Sequence, residues 1–503
     1  MTMLPWFLAA LAASFLPDAI ALPRPRAPWR RPAAALAIHA MASVVTFTLT
    51  LAISARPAFA GLMAFSLAAL MAIVNNAKYA SLREPFVFTD LSLFGQLFRH
   101  PRLYLPFLSV VQILAIAVGA ALFAGAFLAS ARLEAVPYGT LAAFGLGALT
   151  IAVALAARLP LTLAPGEDQL HHGFITVFVA YLLNGLRPRT ARELRAALTA
   201  GPFSRTAAPA VRPDVIVIQS ESFFDARRLG TAVSPAILAN FDAACQVACQ
   251  YGELRVPAWG ANTMRTEFAM LSGVPEAELG YARFYPYTFI RRPCASLAGW
   301  FRRAAYRTSA IHPYFADFFG RDRVFPLMHF ERFLDIRHFD GAQRAGPYVA
   351  DAAVADAIIA ELEAAGDEPA FVMAMTMENH GPLHLERVEP GEGARYHSLG
   401  DGAPWDDLTA YLRHLANADV MIGRLTDYLA NRQRKAILCF YGDHVPALPK
   451  VYGSLGAMQN RSDYFIWRNY GEAESLRKTL DVSGLGRELL HTIGQPVQAG
   501  VPT

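Results

Sequence analysis

Asp443-His444 closes the run Lys435-Ala-Ile-Leu-Cys-Phe-Tyr-Gly442 and is followed by Val445-Pro446. An apolar, strand-like run that stops at Gly and then offers a carboxylate beside an imidazole has the form of metal ligands at a strand's carboxyl end. That is where α/β sheets place their chemistry. Asp214-Val-Ile-Val-Ile-Gln-Ser220 has the same buried-strand character and ends in Glu221-Ser222-Phe223-Phe224. Trp259-Gly-Ala-Asn-Thr263-Met-Arg-Thr-Glu267-Phe268 then carries a hydroxyl from a Gly/Asn loop to the start of an apolar helical pattern. Two carboxylates, a hydroxyl and an imidazole suit Mn²⁺, Mg²⁺ or Zn²⁺. A Thr oxygen bound to such an ion loses proton affinity and becomes a nucleophile at neutral pH. Taken singly, Glu221 reads equally as a strand-end surface charge and Thr263 as a helix N-cap. The recurrence of such groups at three element ends sets them apart.

Their order resembles the lipoteichoic acid synthase and phosphoglycerol transferase family, within the alkaline phosphatase and sulfatase superfamily. The resemblance is carried by Ile216-Val-Ile-Gln-Ser-Glu221-Ser-Phe223, Asn262-Thr263-Met-Arg-Thr-Glu267-Phe268, Asn379-His380-Gly-Pro382 and Tyr441-Gly-Asp443-His444. It implies that Glu221, Thr263, Asp443 and His444 hold one divalent ion, usually manganese, with Thr263 as nucleophile. His312-Pro-Tyr-Phe-Ala-Asp-Phe-Phe319-Gly-Arg321-Asp322 resembles the family's substrate-phosphate segment, which implies substrate contacts for His312 and Arg321. Phe319 stands where relatives usually carry Trp. His380 and His312 are read as proton-transfer candidates, His380 as both catalytic and substrate-binding. The implied reaction moves phosphoglycerol from phosphatidylglycerol to a cell-envelope glycan or glycolipid. A phosphoethanolamine transferase is the nearest alternative, although no cysteine flanks Thr263. A sulfatase would need a Cys or Ser in a Cys/Ser-x-Pro-x-Arg setting, which Thr263-Met-Arg-Thr-Glu267 does not offer. A two-metal phosphatase would want a further ligand set, and an inactive scaffold would not need the full ligand quartet.

The elements that must position these residues follow from pattern. Strands are expected at Asp214–Ser220, Thr308–His312, Ala370–Met377, Ala436–Tyr441 and Tyr464–Trp467, with helices at Val354–Ala365 and Leu408–Asn431. Short apolar strands alternating with helices imply a mostly parallel sheet between helical layers. The expected fold is an N-terminal helical transmembrane bundle plus an α/β catalytic domain of alkaline phosphatase/sulfatase type. The division is 1–165 for about five spans, 166–213 for an interfacial helix and linker, and 214–503 for the transferase domain.

The chain of 503 residues is 54% hydrophobic and 17% charged, with mean hydropathy +0.28. That excess lies in the first third, where about 20 apolar residues make a span. Five spans are read: Leu4–Leu22, Ala33–Ile53, Ala58–Val74, Leu105–Ala129 and Tyr138–Ala157. The polar stretch Asn75–Arg102 is read as a loop. Gly173–Leu183 is short for a span and, with Arg187, Arg189, Arg192 and Arg195 following, fits an interfacial helix; a sixth span is the competitor. Ala207–Pro213 reads as a linker. With five spans and an outward-facing domain, Arg24, Arg26, Arg30, Arg31, Lys78, Arg83, Arg99 and Arg102 lie outside, against the positive-inside rule. The resemblance still implies a multi-pass inner-membrane protein whose catalytic domain faces the periplasm or cell exterior. Scattered basic residues at a net charge of +4 give no nucleic-acid signature, and no protein partner is implied. Cys245, Cys249, Cys294 and Cys439 form no zinc pattern, and a Cys245–Cys249 bridge is allowed by spacing without being indicated.

Overall fold

The computed structural model describes residues 3–93, 110–205, 209, 211–457, 459–472 and 474–494. It divides into two compact units, Met1–Thr190 and Ala191–Thr503.

In the first unit, helices occupy each of the five apolar segments: α1 (Leu4–Ile20), α2 (Ala33–Ser54), α3 (Pro57–Leu82), α4 (Val110–Ala129) and α5 (Tyr138–Ala156). The start of the fourth segment, 105–109, lies outside the described residues. Three of these helices, α2, α3 and α5, are long and apolar enough to cross a membrane by length and composition. α3 runs eight residues past the expected end at Val74 because its polar last turns find partners. The Asn75 amide donates to the Leu22 carbonyl and its oxygen accepts from the Phe86 N–H, while the Lys78 ammonium reaches Asp90 at 2.7 Å. After α5 come α6 (Pro165–His172), α7 (Phe174–Gly185) and α8 (Pro188–Ala200). α7 packs on α2 and α5 and buries Phe174 through Phe178 together with Ala180 and Tyr181. Its apolar surface is therefore covered by protein. Of the linker read at 207–213, residues 207, 208 and 210 lie outside the described residues.

Among the described residues, the second unit is built on nine strands in the order β10-β2-β9-β8-β1-β7-β3-β4, with β11 also on β2. The central ones are β1 (Asp214–Ser220), β3 (Arg307–Ile311), β4 (Arg332–Leu334), β7 (Ala370–Met375) and β8 (Ala436–Gly442). β2 (Gln250–Arg255), β9 (Arg461–Arg468), β10 (Leu476–Arg477) and β11 (Leu480–Asp481) complete the far edge, and β5 (Arg344–Ala345) pairs with β6 (Tyr348–Val349) apart from the sheet. β9 is antiparallel to both neighbours; every other pairing in the sheet is parallel. β1, β7 and β8 are buried on both faces, which is why they read as continuous apolar runs. Ile216, Ile218, Val372 and Leu438 join one core with Val354 and Ile358 of α13 (Asp351–Ala365) and Ile422 and Leu425 of α14 (Trp405–Ala430). On Phe371 stacks Phe301 of α11 (Leu297–Arg303), ring centres 4.4 Å apart. Each such fully buried side chain contributes about 2 kcal/mol. Parallel register brings the strand ends level: Ser220 opposite Gly442, and Gln219 opposite Met375. All four cysteines are free thiols, so no bridge joins Cys245 to Cys249.

Candidate metal and nucleophile site

Two strand ends and one helix start build the site. β1 delivers Glu221 and β8 delivers Asp443-His444. The two chains approach so closely that a side chain at Gly442 would collide with the Phe223 carbonyl, which explains the glycine. Ser222 turns into the left-handed region at φ 54, costly for a non-glycine residue. In that conformation its N–H donates to Asp443 Oδ1 at 2.8 Å and its hydroxyl donates to Glu221 Oε1 at 2.9 Å.

The three ligand atoms converge within 4.8 Å of one another, all from buried residues. His444 Nδ1 donates to the Val445 carbonyl at 3.0 Å, leaving Nε2 as the lone-pair nitrogen. That Nε2 stands 3.5 Å from both Glu221 Oε1 and Asp443 Oδ2, acceptor facing acceptor. Asp443 Oδ2 has no hydrogen-bond partner among the described residues. Burial and the neighbouring Asp443 charge push the Glu221 carboxyl up to about 8. Two buried carboxyl groups and a lone-pair nitrogen that converge, with one carboxyl held up by the other's charge, are a place that a cation would complete, and two oxygens with one imidazole nitrogen fit a hard or borderline divalent ion.

Thr263 is the first residue of α10 (Thr263–Ser272), after Asn262 at φ 66, and is half-buried. One turn on, the Thr266 hydroxyl donates to the Asp443 carbonyl at 2.8 Å, and the Gly260 N–H donates to the Val445 carbonyl at 3.1 Å. The helix that carries Thr263 is thus bolted to the strand end that carries Asp443.

Arg321 opens α12 (Arg321–Leu327) and is 1% exposed. Its Nε and Nη2 donate to Glu267, Nη2 at 2.8 Å, and Nη1 donates to His312 Nε2 at 3.1 Å. Because a guanidinium only donates, His312 accepts through Nε2 and keeps its proton on Nδ1. That Nδ1 has no hydrogen-bond partner among the described residues. Burial, then the Arg321 charge, hold His312 well below its ordinary value, so it is neutral. In this structure its Nε2 is engaged by the Arg321 guanidinium. His380 donates Nδ1–H to the Gly381 carbonyl at 2.7 Å, with the Tyr348 hydroxyl at 3.2 Å. Burial lowers its basicity, and Nε2 is left as an acceptor.

Sequence reasoning passed over what supports this shell. Glu378, two residues before His380, takes hydrogen bonds from the Asp351 N–H at 2.6 Å, from His414 at 2.9 Å and from Asn417. His414 also bridges to Glu386 at 2.8 Å. Burial works against a charge there, but the two carboxylates outweigh it and hold His414 at about 9. Glu378 sits inside the Asn379-His380 motif region, so proximity was the available signal.

Residues 213–494 match the Sulfatase family model. The capsular polysaccharide biosynthesis protein RkpI of Rhizobium meliloti is 30% identical over 441 residues, 82% of this chain and 78% of that protein. A protein of the same organism described as a putative cyclic beta-1,2-glucan modification protein is 30% identical over 60% of this chain, which spans about half of that relative (47%). Among solved structures, the integral membrane lipooligosaccharide phosphoethanolamine transferase A (EptA) of Neisseria meningitidis aligns over 96% of this chain and 95% of its own at TM-score 0.54 and 13% identity. That alignment covers both the apolar helices and the α/β unit, and at this identity it speaks for the fold.

Proposed function

Because this chain belongs to the sulfatase family, as a membrane protein with an α/β catalytic unit, we propose that it transfers phosphoglycerol from phosphatidylglycerol to a cell-envelope glycan through a covalent Thr263 intermediate. The observation that carries the reading is the cluster of Glu221, Asp443 and His444 tied through Thr266 to the helix that begins at Thr263. These three residues, with the Thr263 oxygen, would hold one divalent ion, Mn²⁺ by family resemblance. When bound, that ion supplies positive charge that lowers the proton affinity of the hydroxyl and offsets charge on the phosphoryl oxygens.

In the first step the Thr263 oxygen forms a bond to phosphorus, the ester bond to diacylglycerol breaks, and the proton lost by Thr263 ends on the departing alkoxide. In the second, the acceptor hydroxyl forms its bond to phosphorus, the Thr263–phosphorus bond breaks, and the acceptor's proton ends on Thr263. Neutral His380, with Nε2 free to accept, is the base for the acceptor. Arg321 offers its remaining N–H groups to the non-bridging oxygens, while His312 holds it in place. Glu267 is committed to Arg321, so that carboxylate is not available to an ammonium headgroup, which favours glycerol over ethanolamine. The names of the two Rhizobium relatives, a capsular polysaccharide protein and a glucan modification protein, support a glycan acceptor over a lipid one. The proposed division remains 1–165, 166–213 and 214–503, with the catalytic part outside the cytoplasm.

One divalent ion should accompany the purified protein, and Glu221→Ala, Asp443→Ala and His444→Ala should each lower its occupancy by elemental analysis. Two ions per chain would move the site to the two-metal phosphatase alternative. A reporter active only outside the cytoplasm, fused after Pro213, should give signal; signal from a cytoplasm-only reporter there would overturn the orientation.

A further inference from the structure

We propose that Glu267, with Tyr287, is a positioning residue that fixes the Arg321 guanidinium relative to the Thr263 hydroxyl through their shared helix; this rests on the roles proposed above for Thr263 and Arg321. Thr263 and Glu267 are four residues apart on α10, so they lie one turn apart on the same helical face. Between them Thr266 is tied to the Asp443 carbonyl. A single helix therefore carries the nucleophile, the link to the ligand-bearing strand end and the anchor for the cation proposed to grip phosphate.

The anchor is fully enclosed. Glu267 is 0% and Arg321 1% exposed at the side chain. Glu267 Oε2 takes Nε at 3.1 Å and Nη2 at 2.8 Å, while Oε1 takes Nε at 3.2 Å and the Tyr287 hydroxyl at 2.5 Å. Tyr287 is itself fully buried and packs edge-on against Phe268 and Phe325. On the other flank His312 accepts from Nη1, and the guanidinium lies 5.2 Å from the Phe319 ring centre. Phe319 at φ 57 and Gly320 at φ 71 make the two left-handed steps that lead into α12 and Arg321. A buried ion pair is a poor source of stability compared with a packed apolar pair. Its value here is directional: the carboxylate takes one edge of the guanidinium and so fixes which N–H groups remain for a phosphoryl oxygen. Placement of this kind acts on the rate, since a displacement of about 1 Å can cost about 100-fold.

A double-mutant cycle separates positioning from a merely structural role. Diacylglycerol release would be measured from phosphatidylglycerol and from phosphatidylethanolamine in mixed micelles, for wild type, Glu267→Gln, Arg321→Gln, the double variant and Tyr287→Phe. On whichever lipid the wild type uses, Glu267→Gln should lower kcat about 100-fold, with a smaller change in KM and unchanged ion content. In the Arg321→Gln background the same change should cost nothing further. Tyr287→Phe, which removes one hydroxyl and leaves the ion pair, should show a weaker loss that also vanishes without Arg321. It keeps the test decisive if Glu267→Gln fails to fold. Equal losses in both backgrounds, or wild-type kcat in both Glu267→Gln and Tyr287→Phe, would overturn the proposal. Full activity in Arg321→Gln, or a wild type that releases diacylglycerol from neither lipid, would instead overturn the underlying reading and the proposal with it.

Discussion

Buried charge is treated in opposite ways in the two units. In the helical unit, Asp18 and Arg31 are both enclosed and each Asp18 oxygen has a donor: Asp18 Oδ2 takes Arg31 Nη1 at 2.5 Å and Oδ1 takes the Ile175 N–H at 2.9 Å. Arg31 Nε is spoken for by the Arg26 carbonyl at 2.7 Å. In the catalytic unit, Asp443 Oδ2 has no hydrogen-bond partner among the described residues and lies beside a second carboxylate and the His444 ring. A saturated buried pair pins chain segments together, whereas an unsaturated cluster of one sign is kept only because something of the opposite sign completes it. Arg321–Glu267 combines the two: both Glu267 oxygens have donors, while Arg321 keeps N–H groups that neither Glu267 nor His312 takes.

The comparison can be broken by substitution. The largest effect is expected at Thr263, which supports neither network. Thr263→Ala should lower turnover by at least about 1000-fold while thermal unfolding in detergent stays unchanged. Activity above a few per cent of wild type would remove the covalent step. Next comes the saturated pair. Asp18→Asn leaves Arg31 buried without its counter-charge and should destabilise the helical unit by about 3 kcal/mol, measured by unfolding in detergent; a neutral result would deny the pair its architectural role. The smallest effect, and of opposite sign, is expected at Asp443→Asn in chelator-treated protein. At a pH above the Glu221 value of about 8, where both carboxylates are charged, relieving one like-charge contact should stabilise the ion-free catalytic unit by about 1 kcal/mol. Destabilisation there would mean that the cluster is as satisfied as the Asp18 pair.

Much of this difference was legible in the sequence. β1 and β8 announced themselves as apolar runs because both faces are covered, and their ends placed Glu221 and Asp443-His444 together. β2 was not readable: Gln-Tyr-Gly-Glu-Leu-Arg alternates burial near the sheet's edge and carries a glycine. The extension of α3 to Leu82 was hidden because Asn75 and Lys78 look like loop residues until their partners, distant or across a turn, are known. α7 read as interfacial from its length and trailing arginines, yet its apolar surface is buried by α2 and α5, a tertiary fact with no local signature. Within the site, residue types gave the ligands. Glu267 stood in the motif as a letter without a role, because its partner Arg321 is 54 residues away. The tautomers of His312 and His380 needed the groups around them: Arg321 donates to His312 Nε2, and His380 Nδ1 donates to the Gly381 carbonyl.

The central claim is a phosphoglycerol group carried on Thr263. Incubating the purified, ion-loaded protein separately with phosphatidylglycerol and phosphatidylethanolamine, without acceptor, and weighing the Thr263 peptide by mass spectrometry tests it directly. A glycerol phosphate adduct on Thr263 from phosphatidylglycerol, lost on Thr263→Ala, is the expected result. A phosphoethanolamine adduct with none from phosphatidylglycerol would contradict the donor, and no adduct from either lipid would contradict the covalent mechanism.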